Sequence, residues 1–170
     1  MRLLFTVLAL AASTALVSAC GRPASTDSAS TTTPSAETPV ATPAELTPAQ
    51  KTAILATLPI AYQKADLENG QAKVALCKSC HSLIQGGATM TGPNLWGVFG
   101  RKAGSVADYD YSAGLKASGV VWNAQTLDKW LTNPSAMVAG TKMIYLGIAD
   151  ATDRRDVIAY LKVSTTAPAK

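Results

Sequence analysis

The chain has 170 residues, enough for one ordinary domain with additional segments. Hydrophobic residues make up 48% and charged residues 15%, a composition typical of a globular protein preceded by an apolar leader. The formal net charge is only +4, and the sequence has no basic run and no alternation of basic with aromatic residues. A nucleic-acid-binding surface is therefore not expected.

The first 19 residues have the pattern of an export signal. Arg2 supplies a positive charge, an apolar run follows, and small residues end the segment. The apolar run is too short, and too rich in Ala, Ser and Thr, for a stable membrane span. We predict a signal peptide at 1–19 and exclude it from the fold.

Cys20 ends the sequence Leu16-Val17-Ser18-Ala19-Cys20, which resembles the lipobox of bacterial lipoproteins. In that motif the cysteine is lipidated and becomes the new N-terminus, although Val17 stands where leucine is commonest. The alternatives are an ordinary cleaved signal followed by a free cysteine, or an uncleaved anchor. We predict lipidation of Cys20, which would attach the protein to a membrane.

The segment 20–46 consists mainly of Ala, Ser, Thr and Pro and has almost no large apolar residue. Such a segment cannot bury enough surface to fold, so we predict a disordered tether. Residues 21–46 would span roughly 28 Å as a flexible coil and up to about 80 Å when extended.

The first helical signal begins at Thr47. Threonine is a favoured N-cap, Pro48 suits the first helical position, and Gln50 completes a capping box. We predict an additional N-terminal helix within 47–64, interrupted at Pro59.

Three further helices are predicted along the chain. The first covers about 65–76, and the second includes 126–131, where apolar residues share one face. The third begins at Thr152, a favoured N-cap followed by an acid, and carries an apolar stripe. No convincing run of strands is present. The sequence therefore predicts an all-α domain at 65–164, followed by a disordered tail at 165–170.

The most informative residues are Cys77-Lys78-Ser79-Cys80-His81. They have the form C-x-x-C-H, the attachment site of a c-type haem. Two thiols three positions apart can add across the two vinyl groups of one porphyrin, and the next histidine becomes the proximal iron ligand. We predict one covalent haem c, attached through Cys77 and Cys80 and ligated by His81.

Other roles for these cysteines are weaker. A closed zinc site needs four ligands, but the chain has three cysteines and one histidine, and Cys20 lies 57 positions before Cys77. A thioredoxin-like redox site would need a βαβ setting, which the surrounding sequence does not indicate. A structural disulfide between Cys77 and Cys80 remains as an alternative.

The iron needs a second axial ligand, and a second histidine is not available because His81 is the only one. Met1 belongs to the leader, and Met90 follows His81 by only nine residues, on the proximal side. Met137 and Met143 are the candidates for the opposite face. A His/Met pair raises the reduction potential compared with two nitrogen ligands, and it favours electron transfer.

At this point the chain resembles class I cytochrome c, of the mitochondrial and bacterial cytochrome c2 type. The resemblance covers about 65–163 and keeps family register without a gap after Cys77. Its motifs are C-K-S-C-H at 77–81, T-G-P-N-L-W-G-V-F-G-R-K at 91–102, N-P at 133–134, G-T-K-M-I at 140–144 and V-I-A-Y-L-K at 157–162. It implies an all-α class I cytochrome c fold, with helices and loops wrapped around one covalent haem and Met143 as the distal ligand.

The resemblance also implies roles around the haem. The carbonyl of Pro93 would accept a hydrogen bond from Nδ1–H of His81 and fix the imidazole ring. Burying a haem propionate without partners would be costly. The residues implied near the propionates are Arg101, Tyr111 and Trp122 at the inner one and Thr141 at the other.

The chain also departs from the family pattern. Trp130 stands where a tyrosine usually hydrogen-bonds the methionine sulfur, and Leu115 replaces a common polar residue of the same network. These changes predict a drier distal pocket. Gly70 and Val74 each lie one residue too close to Cys77, so the resemblance does not imply how the first and last helices pack.

Mitochondrial-type carriers surround the exposed haem edge with lysines, but most matching positions here are neutral. These are Leu76, Ala88, Met90, Ser135, Ala136 and Ala149, while Lys142 is retained. Electrostatic steering should therefore be weak, and a tether could replace it by confining the domain near its partners. We expect docking through a small apolar patch.

The resemblance implies a one-electron carrier, not an enzyme. We expect a monomer, lipid-anchored on the periplasmic side of a bacterial cell envelope, carrying electrons from a bc1-type complex to a cytochrome oxidase. The alternatives are exchange with a periplasmic dehydrogenase or a photosynthetic reaction centre. A haem peroxidase or gas sensor would require an open sixth position, which Met143 would occupy.

Overall fold

A computed structural model describes residues 46–167 of the chain. The predicted signal peptide, Cys20 and the tether up to residue 45 lie outside the described residues. No helix within 46–167 has the length and apolar character needed to cross a membrane.

The described residues form helices joined by loops. A single antiparallel bridge between Lys102 and Val121 is the only strand-like pairing in this part of the chain. The helices are α1 (Pro48–Leu55), α2 (Ile60–Gln63), α3 (Leu67–Val74), α4 (Ala113–Ala117), α5 (Ala124–Thr132), α6 (Pro134–Met137) and α7 (Ala151–Ser164), with a 3₁₀ turn at Cys77–Ser79.

The start of α1 confirms the predicted capping box. The Thr47 hydroxyl accepts from the Gln50 backbone N–H at 3.2 Å, and the Gln50 side-chain oxygen accepts from the Thr47 N–H at 2.8 Å. The predicted interruption at Pro59 is confirmed as well, since Pro59 precedes α2 as its N-cap. Both features are local, so the sequence alone could specify them.

The predicted N-cap of the last helix is wrong. Asp150 caps α7, with its carboxylate accepting from the Asp153 N–H at 2.8 Å, while Thr152 lies inside the first turn. A carboxylate at this position both satisfies a free N–H and interacts favourably with the positive end of the helix dipole. This explains why aspartate, not threonine, begins the helix.

Two short helices, α4 and α6, were not predicted. Ser112 caps α4 and Asn133 caps α6, each by accepting from a backbone N–H of the first turn. Helices of four or five residues are too short to produce a readable apolar periodicity.

The crossing of α3 and α7 is built around Gly70. A Cβ atom at this position would clash with the carbonyl oxygen of Asp156 and would lie 2.8 Å from Cβ of Tyr160. Glycine therefore allows the two backbones to approach closely. Val74, one turn later, is fully buried. The first and last helices of the predicted domain thus pack tightly, despite the shift of these residues relative to the family pattern.

A buried carboxylate joins the same two helices. Asp156 is 1% exposed, and its carboxylate accepts from the backbone N–H of Asp66 at 3.0 Å and from the Asn69 amide at 2.9 Å. Arg155 donates from Nε at 2.8 Å and from a terminal nitrogen at 2.6 Å. Burial raises the pKa of Asp156, but these hydrogen bonds outweigh burial and hold the pKa below its ordinary value.

The segment before α3 is integrated into the core. The apolar residues that it buries are Leu46, Ile54, Leu55 and Leu58. Helices α1 and α2 both pack against α7, and the Tyr62 hydroxyl lies 3.5 Å from the carbonyl oxygen of Ala124 at the start of α5. The extra N-terminal helices therefore cover a surface of the domain instead of projecting from it.

The folded region also extends past its predicted end at 164. Thr165 is fully buried, its hydroxyl donates to the carbonyl of Leu161 at 2.7 Å, and its carbonyl accepts from the Gly97 N–H at 2.8 Å. The predicted tail at 165–170 therefore begins too early.

We predict that Asp156→Asn lowers the free energy of unfolding near neutral pH by about 1–3 kcal/mol, because it removes the charge that four hydrogen bonds stabilise. The folded-state pKa is depressed, so this stabilisation is present above the unfolded pKa of about 3.9 and is lost as pH falls through the folded value. Denaturant unfolding followed by helicity should show the difference from wild type shrinking below about pH 4.

Asp108→Asn is the matched control, because Asp108 is exposed and has no ion pair among the described residues. It should leave stability nearly unchanged. If Asp156→Asn and wild type differed by the same amount at every pH, the depressed pKa would be refuted.

Candidate functional site

A partly open cavity of about 360 Å³ lies between the helices and the loops that follow α3 and α6. The structure places every residue predicted for the haem on its wall: Cys77, Cys80, His81, Pro93, Arg101, Tyr111, Trp122, Trp130, Thr141 and Met143. These residues come from distant parts of the sequence, so the fold has assembled them into one site.

The C-x-x-C-H residues enter the cavity from a tight turn. The backbone N–H groups of Cys80 and His81 both donate to the carbonyl of Cys77, at 3.1 and 3.0 Å. Cys77 and Cys80 are free thiols, not a disulfide. Burial raises the pKa of the Cys77 thiol. Both sulfurs are therefore available to form thioether bonds to one porphyrin.

The imidazole of His81 is fixed by a backbone carbonyl. Its Nδ1 lies 2.7 Å from the carbonyl oxygen of Pro93. A carbonyl can only accept, so Nδ1 carries the proton and Nε2 keeps a free lone pair. Burial lowers the pKa of His81 more than the bond to Pro93 raises it, so the ring is neutral. A neutral imidazole oriented in this way is suited to binding a metal through Nε2.

Gly92 is a site residue that the sequence analysis did not single out. A Cβ atom there would clash with the His81 ring and would lie 2.7 Å from its Nδ1. The Gly92 N–H also donates to the carbonyl of Cys80 at 2.8 Å. Its position inside the motif at 91–102 was a possible signal, but only the packing shows why glycine is needed.

The three candidate methionines differ in whether they line the cavity. Among Met90, Met137 and Met143, the methionines of the described chain, only Met143 lines the cavity. Met137 packs against the core elsewhere, and Met90 is exposed. The Met143 N–H donates to the Thr141 hydroxyl at 3.3 Å, which links two residues of the cavity wall.

The charged residues on the cavity wall are both basic. Arg101 donates to the backbone carbonyls of Asn94 and Trp96, at 2.8 and 3.0 Å. Burial lowers the pKa of Arg101, and nearby Tyr111 raises it. Lys142 is the second wall residue with a positive charge. Two cations on a mostly apolar wall fit a ligand that carries acidic groups.

The rest of the wall is dominated by buried apolar and aromatic side chains. Leu115, Leu127, Trp130 and Leu131 are all buried and line the cavity. The rings of Trp122 and Trp130 meet edge to face, with centroids 5.4 Å apart. Trp130 has no side-chain hydrogen bond to any residue in 46–167. The residues present thus fit a flat apolar macrocycle with two acidic groups, two thioether links and an iron bound by imidazole.

Comparisons with known proteins identify the family. The cytochrome c family model matches residues 67–165, more than half of the chain. The chain is 46% identical over 92 residues to cytochrome c 2.1 of Caenorhabditis briggsae, covering 54% of this chain and 81% of that protein. It is also 46% identical over 90 residues to cytochrome c of Theileria annulata, covering 53% of this chain and 77% of that protein.

The solved structure of cytochrome cH from Methylobacterium extorquens is similar to the chain with a TM-score of 0.54 and 43% identity. The match covers 58% of this chain and 98% of that one. The chain therefore belongs to the cytochrome c family, as an all-α class I member that carries covalently bound haem c and serves as a haem-based electron carrier.

Proposed function

We propose that this cytochrome c is a membrane-tethered one-electron carrier whose haem iron is ligated by His81 and Met143. The composition of the cavity wall supports this ligation best. Of the three methionines within 46–167, only Met143 lines the cavity, and the wall also carries His81, the only histidine of the chain. With both axial positions filled, the iron would exchange electrons without binding a substrate.

When bound, the haem supplies a reversible one-electron change at its iron. The chain contributes the surroundings that suit this reaction. Pro93 holds the imidazole in one tautomer, so ligand geometry need not change between oxidation states. The apolar wall formed by Leu115, Trp130 and Leu131 excludes water, which leaves few dipoles to reorient as the charge changes.

A haem peroxidase or gas sensor is the second candidate, and it needs an open sixth coordination position. The presence of Met143 on the wall argues against it. The choice between these functions therefore depends on whether this methionine binds iron.

We predict that Met143→Leu abolishes the methionine-to-iron charge-transfer band of the oxidised protein and lets the iron bind added cyanide readily, because the thioether ligand is gone. The matched control is Met137→Leu, a change of the same kind at a methionine that does not line the cavity. It should leave the band and the slow cyanide reaction unchanged. Retention of the band in Met143→Leu would refute the ligation.

The surface around the cavity opening supports docking without strong electrostatic steering. Leu76 and Ile144 line the cavity and are largely exposed, and Leu146 follows in the same loop and is also exposed. We call these three residues the apolar rim. Lys142 lies beside them, but its ammonium is 2.5 Å from the Asp110 carboxylate, so part of its field is cancelled. Exposed apolar side chains around a redox centre fit a partner with an apolar docking surface.

We predict that the rate of electron transfer to a membrane oxidase changes less than about threefold between about 0.01 and 0.15 M ionic strength. Strong steering would instead lose roughly tenfold or more as the screening length falls from about 30 to about 8 Å. Ile144→Ser, in the part of the apolar rim that lines the cavity, should slow the reaction at both salt concentrations. Ile60→Ser is the control, because Ile60 is equally an exposed apolar residue but does not line the cavity. A steep salt dependence would contradict docking through the apolar rim.

The tether remains a proposal drawn from the sequence. Cys20 at the end of the leader and the Ala/Ser/Thr/Pro segment 20–46 support a lipid anchor on the periplasmic side of a bacterial cell envelope. Confinement near the membrane would raise the effective concentration of a partner without new contacts. We propose a bc1-type complex as donor and a cytochrome oxidase as acceptor, with a periplasmic dehydrogenase or photosynthetic reaction centre as alternatives.

We predict that the wild-type protein expressed in a bacterium is recovered in the membrane fraction and that Cys20→Ala moves it to the soluble fraction, because the lipid attachment site is removed. The haem absorption spectrum should stay the same in both fractions. Ser25→Ala, outside the lipobox-like sequence, is the control and should remain membrane-bound. Identical fractionation of wild type and Cys20→Ala would overturn the anchor.

A further inference from the structure

The loop between α6 and α7 carries Met143 but holds its own shape weakly. Near its start, the Thr141 N–H donates to the carbonyl of Val138 at 3.2 Å. From 144 to 147 no backbone group is hydrogen-bonded to another residue of the described chain. The position of Met143 must therefore depend on how the two ends of the loop are attached.

The C-terminal end of the loop is attached to α5. The Ile148 N–H donates to the carbonyl of Leu131 at 2.7 Å. Gly147, just before it, lies so close to the end of α5 that a Cβ atom would clash with the Thr132 carbonyl. Its φ of +97° also favours glycine. The end of the loop is thus held close to a helix that lines the cavity.

Arg154 completes this attachment from the first turns of α7. Its Nε donates to the Asp128 carboxylate of α5 at 2.9 Å. One terminal nitrogen donates to the carbonyls of Ile148 and Ala149, at 2.9 and 2.8 Å. The Arg154 side chain is only 12% exposed. One guanidinium therefore joins α5, α7 and the end of the Met143 loop.

We propose that Arg154 is a positioning residue for Met143, acting through the closed ring formed by Asp128, Leu131, Ile148 and Arg154. The proposal rests on the His/Met ligation put forward above. Without the guanidinium, the part-buried Ile148 carbonyl and Asp128 carboxylate and the exposed Ala149 carbonyl each lose a hydrogen-bond partner. The loop conformation that these bonds hold then becomes less stable relative to more open conformations. Met143 would then leave the iron more often, while the helices remain folded.

A second ion pair in the same turn of α7 provides the matched comparison. Lys73 contacts Asp153 at 2.7 Å, next to Arg154 in sequence. This pair links α3 to α7, and neither of its two side chains is hydrogen-bonded to the Met143 loop. It is also more exposed than the Arg154 pair, with the lysine side chain 46% accessible. Its removal should affect stability slightly and methionine ligation not at all.

The test warms the oxidised holoprotein and follows two signals: the methionine-to-iron charge-transfer band and the helical signal of circular dichroism. In Arg154→Gln the fraction lacking the band should rise about tenfold or more at temperatures where helicity is unchanged, as expected for the loss of a charged hydrogen bond. Arg154→Lys should restore part of the band. Lysine can keep the ion pair with Asp128, but it cannot also donate to the carbonyls of Ile148 and Ala149 as the guanidinium does. Lys73→Gln should behave as wild type.

Loss of the band only together with helicity, or to the same extent in Lys73→Gln, would overturn the proposal. If Arg154→Gln does not fold, Asp128→Asn removes a single partner of the guanidinium and should show a smaller loss of the same kind. A wild-type protein without the band would refute the ligation itself. A wild-type band that Arg154→Gln and Asp128→Asn leave unchanged would refute only the positioning role.

Discussion

The hydrogen bond between Nδ1 of His81 and the carbonyl oxygen of Pro93 is the interaction on which the site depends. The chain has one histidine, so a single imidazole must be neutral, oriented and partly shielded from water. Gly92 makes this possible, since any side chain there would displace the ring. The bond thus joins the motif at 77–81 to the motif at 91–102. It fixes the orientation of the imidazole on one wall of the cavity.

The helices keep the loops that form the opposite walls in place. Gly70 lets α3 and α7 approach closely, and the buried Asp156 closes the same crossing with hydrogen bonds from both helices. Helix α7 then carries Arg154 to the end of the Met143 loop. Helix α7 therefore carries both the residues of the buried crossing and the arginine that contacts the loop of the residue proposed to bind the iron.

Local patterns predicted much of this structure, and long-range contacts explain what was missed. The capping box at Thr47 and the C-x-x-C-H turn use residues within a few positions of one another, so their roles are readable from spacing. The sequence analysis predicted Thr152 as the N-cap of α7, whereas Asp150 is the observed cap; both residue types are common N-caps, so composition alone does not choose between them. The role of Arg154 depends on contacts 26 residues away with Asp128, which no local pattern reveals.

The fold of this cytochrome c is proposed to present His81 and Met143 to one iron. Iron K-edge X-ray absorption on the oxidised holoprotein tests it most directly, because it reports the elements bound to the metal without any substitution. Ligation by His81 and Met143 predicts one sulfur donor beside the nitrogen donors of the porphyrin and the imidazole. A coordination shell with nitrogen and oxygen donors only would contradict it.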